Sequence, residues 1–104
     1  MLFANKMKVK LNTPTRLFDF IENQAKHSPL PRAFNTKYDG EWVSTSSEEH
    51  LEKSNQISRG LLQLGVSKGD KVAIISSNNR TEWSIVDVGV LQIGGIDVPI
   101  YPTI

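Results

Sequence analysis

One pattern near the end of the chain constrains its fold more than any other. Residues 71–76 read "KVAIIS", with Val72, Ala73, Ile74 and Ile75 consecutive and apolar. A short apolar run of this kind suits a strand covered on both faces, as in the middle of a parallel sheet. Residues 80–94, "RTEWSIVDVGVLQIG", follow with helical periodicity. Val86, Val90 and Ile93 form the inner stripe of that helix, and Trp83, Ile85 and Leu91 widen it. Residues 96–101, "IDVPIY", read as a second strand. Strand, helix and strand at this spacing predict a right-handed βαβ unit with parallel strands. Asn79 is expected to cap the helix, with Glu82 completing a capping box.

The upstream half is less apolar. Residues 1–14 read as a flexible arm, with Lys6, Lys8 and Lys10 as a short basic cluster. A solvated arm is the plain reading of that cluster, and a membrane-surface contact is the alternative. In residues 15–27, "TRLFDFIENQAKH", Leu17, Phe18, Ile21 and Ala25 recur at helical spacing, with Thr13 or Thr15 as the cap. "SPLP" at 28–31 stops that helix. Residues 33–45 read as a hairpin of short, polar, surface strands. Their Asp39-Gly40 pair suits a type I′ turn, which needs positive φ at both central positions. Residues 46–65, "SSEEHLEKSNQISRGLLQLG", form the clearest helix. Ser46 and Glu49 make a capping box, Leu51, Ile57, Leu61 and Leu64 an apolar stripe, and Gly65 a left-handed end.

The whole is one small α/β domain of 104 residues. Two parallel strands and three helices do not complete a doubly wound sheet. The chain stops straight after an apolar strand, so the domain over residues 15–104 reads as truncated at its C-terminus. Twelve basic and eleven acidic residues are interleaved, which gives no reason to expect nucleic acid. The absence of cysteine excludes disulfides, thiol catalysis and thiolate ligands. No stretch approaches the about 20 apolar residues of a membrane span. The start has no signal-peptide core, so "NRT" at 79–81 reads as a chance match to the glycosylation pattern.

Tested one at a time, the catalytic motifs fail. "GVSKGDKV" at 65–72 has the wrong spacing for a phosphate-binding loop. Gly94 and Gly95 end a helix, where a dinucleotide fingerprint would start one. The turn at 76–79 meets a helix N-terminus, where an anion could bind. Glu82 already supplies negative charge there, and capping is the favoured reading. His27 and His50 read as solvated surface residues. Asp19 and Glu22 share a helix face and serve the helix dipole. Asp87 interrupts an apolar helix, either pairing with a base or marking the wetter face. Asp97 is placed to hydrogen-bond a neighbouring segment. Trp42 and Trp83 read as packing residues. No residue receives a catalytic, cofactor-binding or metal-binding role.

The order of segments nevertheless resembles something specific. "GVSKGDKVAIISSNNRTEW" followed by "LQIGGIDVPIYPT" resembles the N-terminal part of the AMP-forming acyl-CoA synthetases, within the adenylate-forming superfamily. Ser46 and Glu49 fall on the Thr and Glu of that family's T-Y-x-E-L motif, and Asn55 on its recurrent asparagine. Leu91, Gly94, Val98 and Pro99 fall on L-x-x-G-x-x-x-V-P. The ending "IYPT" is similar to the long-chain fatty-acid–CoA ligase branch. Ser47 and His50 depart from the first motif, and Thr81 stands where relatives carry proline.

The resemblance implies the N-terminal portion of an AMP-binding domain. It also implies a parent enzyme that joins fatty acid to coenzyme A with ATP and Mg2+, through an acyl-adenylate and with release of pyrophosphate. The phosphate-binding loop, the ribose-binding acid and the catalytic lysine of that family would all lie downstream of Ile104, so the segment alone is expected to be inactive. Its expected partners are the fatty acid, ATP and coenzyme A of the whole enzyme and the remainder of its own domain. Self-association through residues 96–104 is a further expectation. The expected location is cytoplasmic, with a peripheral membrane contact as the alternative. Two competing readings stay open. One is a ligase for short-chain or aryl acids. The other is a stand-alone interaction module derived from such an enzyme.

Overall fold

The computed structural model describes residues 13–76 and 80–101. Helix α1 spans Leu17–His27, strand β1 Phe34–Tyr38, β2 Glu41–Thr45, helix α2 Ser47–Gln63, strand β3 Lys71–Ile75, helix α3 Thr81–Gln92 and strand β4 Ile96–Ile100. The arm expected over residues 1–14, apart from residues 13 and 14, and the Asn79 cap lie outside the described residues.

Helix α1 starts differently from the expected threonine cap. The Asp19 carboxylate, one turn in, accepts from the Arg16 amide at 3.0 Å and from the Thr15 amide and hydroxyl at 3.3 Å. Thr15 therefore donates where a cap would accept. Arg16 adds a side-chain bond to the same carboxylate, which holds Asp19 at about 2, well below its ordinary value. Asp19 serves the helix start, as the sequence suggested. Ser28 ends the helix. The turn that follows is pinned to α2, where the Leu30 amide donates to the Ser47 hydroxyl and the Ser47 amide to the Leu30 carbonyl. Leu17 belongs to no inner stripe, being 76% exposed, while Phe18, Ile21 and Ala25 are half-buried.

The hairpin forms as its turn dictates, with φ of 49° at Asp39 and 83° at Gly40. Phe34 pairs with Thr45 and Tyr38 with Glu41 in antiparallel register. Its strands are not wholly superficial, since Thr36 and Thr45 are buried. Trp42 is 70% exposed with the Lys37 ammonium over its ring, which corrects its reading as a packing residue.

The Ser46–Glu49 capping box opens α2. At its far end Gly65 has φ of 92°, and the Val66 and Gly65 amides donate back to the carbonyls of Leu61 and Leu62. This double bond is the Schellman closure. Helix α3 ends in the same way, through the Gly95 and Gly94 amides onto Val90 and Leu91. The next bonds, Gly69 amide to Gly94 carbonyl and Ile96 amide to Asp70 carbonyl, tie that closure to the turn before β3. Strands β3 and β4 then pair in parallel, Lys71 opposite Ile96 and Ile75 opposite Ile100.

Helix α3 is the hub. It packs against α1, α2, β1, β3 and β4, and Thr81, Ile85, Val88, Gly89 and Val90 are all buried. The expected stripe missed Val88 and Gly89, because a helix enclosed by several neighbours has no single inner face. Among the described residues, α3 lies on one side of the βαβ sheet and covers one face of β3. Ile74 is buried while Ile75 is 62% exposed, so the expectation of two covered faces is not met by the described residues. Leu64, expected in the α2 stripe, is 82% exposed beyond the last turn.

The tightest point is Gly89 against α2. A Cβ there would lie 2.5 Å from Ile57 Cγ2 and 3.1 Å from the Ser54 carbonyl oxygen. Gly89→Ala should lower unfolding stability by about 1–3 kcal/mol through overpacking, measured by urea titration. Adding Ile57→Ala should then cost less than it does in the unaltered chain.

Candidate functional site

The densest polar cluster is the seam between α2 and α3. Ser47, His50, Ser54 and Ser58 recur along one side of α2 at helical spacing, and all are buried. Small polar side chains let the helices approach, but each hydroxyl brought inside needs a partner. The Ser58 hydroxyl donates to the Gly89 carbonyl at 2.8 Å and lies 2.6 Å from Gln92 Oε1. Gln92 Nε2 in turn donates to Asn55 Oδ1 at 3.0 Å. The Ser54 hydroxyl donates to the His50 carbonyl at 2.8 Å.

His50 sits at the centre of this seam and is fully buried, which overturns its reading as a solvated surface residue. Its Nε2 lies 2.9 Å from the Ser84 hydroxyl of α3, and its Nδ1 lies 3.3 Å from that of Ser54. Its ring stacks on Phe34 of β1, with centroids 4.1 Å apart. Burial depresses its pKa below the ordinary value, and the charge of Asp87 opposes that shift. The signal available in the sequence was the Ser47, His50, Ser54, Ser58 spacing, which marks an inward face as well as any leucine stripe. His27 is exposed, as expected.

The start of α3 is held from the hairpin. The Thr81 amide donates to the Thr36 hydroxyl at 2.9 Å, and the two threonine hydroxyls lie 2.6 Å apart. Arg80 flanks the helix without a side-chain cap bond. Glu82 accepts from the Tyr38 hydroxyl and lies 3.8 Å from Arg80. That bond holds the Tyr38 phenol above its ordinary range. The proposed capping role of Glu82 involves Asn79, which lies outside the described residues. The described partners of Glu82 are on the hairpin and at Arg80. An open cleft of about 240 Å³ lies beside this junction, lined by Phe34, Thr36, Arg80, Thr81, Trp83 and Ser84 among others.

Burial first, and the neighbouring Asp87 second, push Asp97 up to about 7, and its Oδ1 is buried without a hydrogen-bond partner, so the bond expected of it is not found at that oxygen. The charge of Asp87 acts on His50. Among the described residues no group of three or more His, Asp or Glu side chains could hold a metal ion. Among them, too, no helix is long and apolar enough to cross a membrane. Within the 65–72 segment, residues 65–70 form a turn closed by the Ser67 amide on the Asp70 carboxylate at 2.8 Å, and Lys71 and Val72 begin β3. No step of ATP chemistry follows from the described residues.

Comparison with known proteins supplies the family. Residues 21–104 match the family described as AMP-binding enzyme. The chain belongs to this family. It is 40% identical over 65 residues to the long-chain-fatty-acid–CoA ligase FadD15 of Mycobacterium bovis, a match that covers 62% of this chain and 11% of that protein. It is 26% identical over 91 residues to the long-chain-fatty-acid–CoA ligase ACSBG2 of Homo sapiens, covering 88% of this chain and 14% of that one. The fatty acid AMP ligase of Legionella pneumophila superposes with a TM-score of 0.74 at 25% identity, over 84% of this chain and 15% of its own. The chain therefore spans roughly a tenth of the length of the curated relatives it matches. The resemblance read from the sequence and the α/β class, with its hairpin and parallel pair, both stand.

The burial of His50 has a pH signature. Its folded pKa is lowered, so its contribution is complete above the ordinary value of about 6.5 and is lost as pH falls below it. The stability advantage of the wild type over His50→Gln, read from urea titrations, should shrink between about pH 7 and pH 5.

Proposed function

We propose that this chain is the N-terminal scaffold segment of an AMP-forming long-chain fatty-acid–CoA ligase, with residues 15–104 opening its AMP-binding domain and residues 1–14 an arm. The whole enzyme would convert fatty acid, ATP and coenzyme A into acyl-CoA, AMP and pyrophosphate. One observation supports a scaffold role above others: the residues on the family motifs are engaged in building the fold. Ser46 and Glu49 close a capping box. Asn55 accepts from Gln92 across the α2–α3 seam. The carbonyl of Leu91 accepts from the Gly94 amide at the end of α3. Val98 and Pro99 lie in β4, opposite Ala73 and Ile74. The departure at His50 also joins the packing, as a buried histidine.

The long-chain assignment rests on the names of the relatives. ATP, Mg2+ and coenzyme A belong, on this reading, to parts of the enzyme beyond these residues. The structural likeness to a fatty acid AMP ligase favours a second reading, in which the whole protein stops at the acyl-adenylate. Acyl-CoA formation by the whole protein, compared with acyl-AMP release in the absence of coenzyme A, separates the two.

The purified 104-residue chain should give no fatty-acid-dependent ATP–pyrophosphate exchange above a protein-free blank. Exchange that depends on both the fatty acid and the chain would overturn the scaffold reading.

A further inference from the structure

The hydrogen bonds around His50 fix which of its ring nitrogens carries the proton. Ser54 has one hydroxyl proton, and its shorter contact gives that proton to the His50 carbonyl at 2.8 Å. The Ser54 oxygen is then left to accept from His50 Nδ1 at 3.3 Å. A neutral imidazole carries hydrogen on one nitrogen only, so Nε2 is bare. Nε2 lies 2.9 Å from the Ser84 hydroxyl, which therefore donates to it. A serine on the bare nitrogen of a histidine, with the other nitrogen held by a third group, is the arrangement that activates a nucleophile.

Ser84 differs in access from the serines of the α2 seam. Ser47, Ser54 and Ser58 are buried, whereas Ser84 is half-buried and lines the open cleft of about 240 Å³ beside the start of α3. That volume is below the roughly 300–1,000 Å³ usual for drug-sized ligands, which suits a small acyl donor. Phe34 and Trp83 give the cleft aromatic walls. Arg80, four residues before Ser84 and so about one helical turn away, brings a guanidinium to the same opening.

We propose that Ser84, with His50 as its base, is a nucleophilic serine that accepts an acyl group from a small activated aryl ester bound in this cleft. Ser84 Oγ attacks the ester carbonyl carbon as Nε2 takes the hydroxyl proton. The new Oγ–carbon bond forms, the ester carbon–oxygen bond breaks, and the aryl group leaves as a phenol with the proton from Nε2. Arg80 is the cation placed to receive the carbonyl oxygen as it gains charge. The charge of Asp87 favours the imidazolium that exists between the two proton transfers. Charged groups on the other elements around His50 are engaged elsewhere. Glu49 serves the α2 cap, Glu82 takes the Tyr38 hydroxyl, and Lys37 lies over Trp42. On α1, Asp19 binds Arg16 and Glu22 pairs with Lys26. The step needs no ATP and does not depend on the ligase reading.

The test is incubation of the full chain with p-nitrophenyl acetate, without ATP or coenzyme A. Phenolate release is followed by absorbance and the acyl site by peptide mass mapping. Ser84 should be acetylated about a hundredfold or more faster than the exposed hydroxyls of Ser44 and Ser67, the gain usual for a positioned base. Its rate should be level near neutral pH and fall by about tenfold per pH unit once His50 is protonated. His50→Gln should slow it by about a hundredfold and remove the fall at acid pH. Should that variant fail to fold, unfolding the unaltered chain in urea should bring Ser84 down to the rate of Ser44 and Ser67. Acetylation of Ser84 no faster than of those two serines in the folded chain overturns the proposal. So does a Ser84 rate that neither His50→Gln nor urea changes.

Discussion

The close approach of α3 to α2 is the constraint on which the rest of the molecule depends. Gly89 leaves no room for a Cβ against Ile57, and its carbonyl takes the Ser58 hydroxyl. That contact fixes the spacing of the two helices. With α2 in place, Ser47 anchors the turn after α1 and His50 supports Phe34 of the hairpin. The other end of α3 reaches the sheet, where its Schellman closure is bonded to the turn that starts β3. A single helix thus connects both two-stranded sheets, which have no strand in common.

A seam built from serine, histidine and glutamine is an unusual way to hold two helices. The usual apolar seam gains from removing hydrocarbon from water. Here the gain comes from close contact, and hydrogen bonds offset the cost of burying polar groups. Such a seam tolerates little change, since each member satisfies another. The same economy applies at the start of α3, where a threonine on a different element supplies the hydroxyl that an adjacent residue would ordinarily provide.

The local elements were legible because local rules decide them. The Asp39-Gly40 turn, the Ser46–Glu49 box, the Gly65 terminus and the parallel β3–β4 pair all follow from short-range chemistry. The errors came where packing decides. Reading α2 by its leucines placed Leu64 inside and His50 outside, the reverse of what is found. Asp97 could be flagged on its own, yet the burial of its Oδ1 depends on how β4 returns beneath α3. The candidate site was hardly legible at all. Of the residues on the family motifs, Ser46 and Glu49 serve a cap and Asn55 the α2–α3 seam, while resemblance of pattern reached the AMP-binding enzyme family.

The face of the βαβ sheet left uncovered by the described residues, with Ile75 outward, has the composition of a surface meant for burial. In a scaffold segment that face would be covered by more of the same polypeptide. The most direct test is the mass of the native protein, read by immunoblot of source cells with an antibody raised to this segment. The scaffold account predicts a band several times larger than the 104-residue chain. A band at the mass of the chain itself would contradict it and make this a free-standing member of the family.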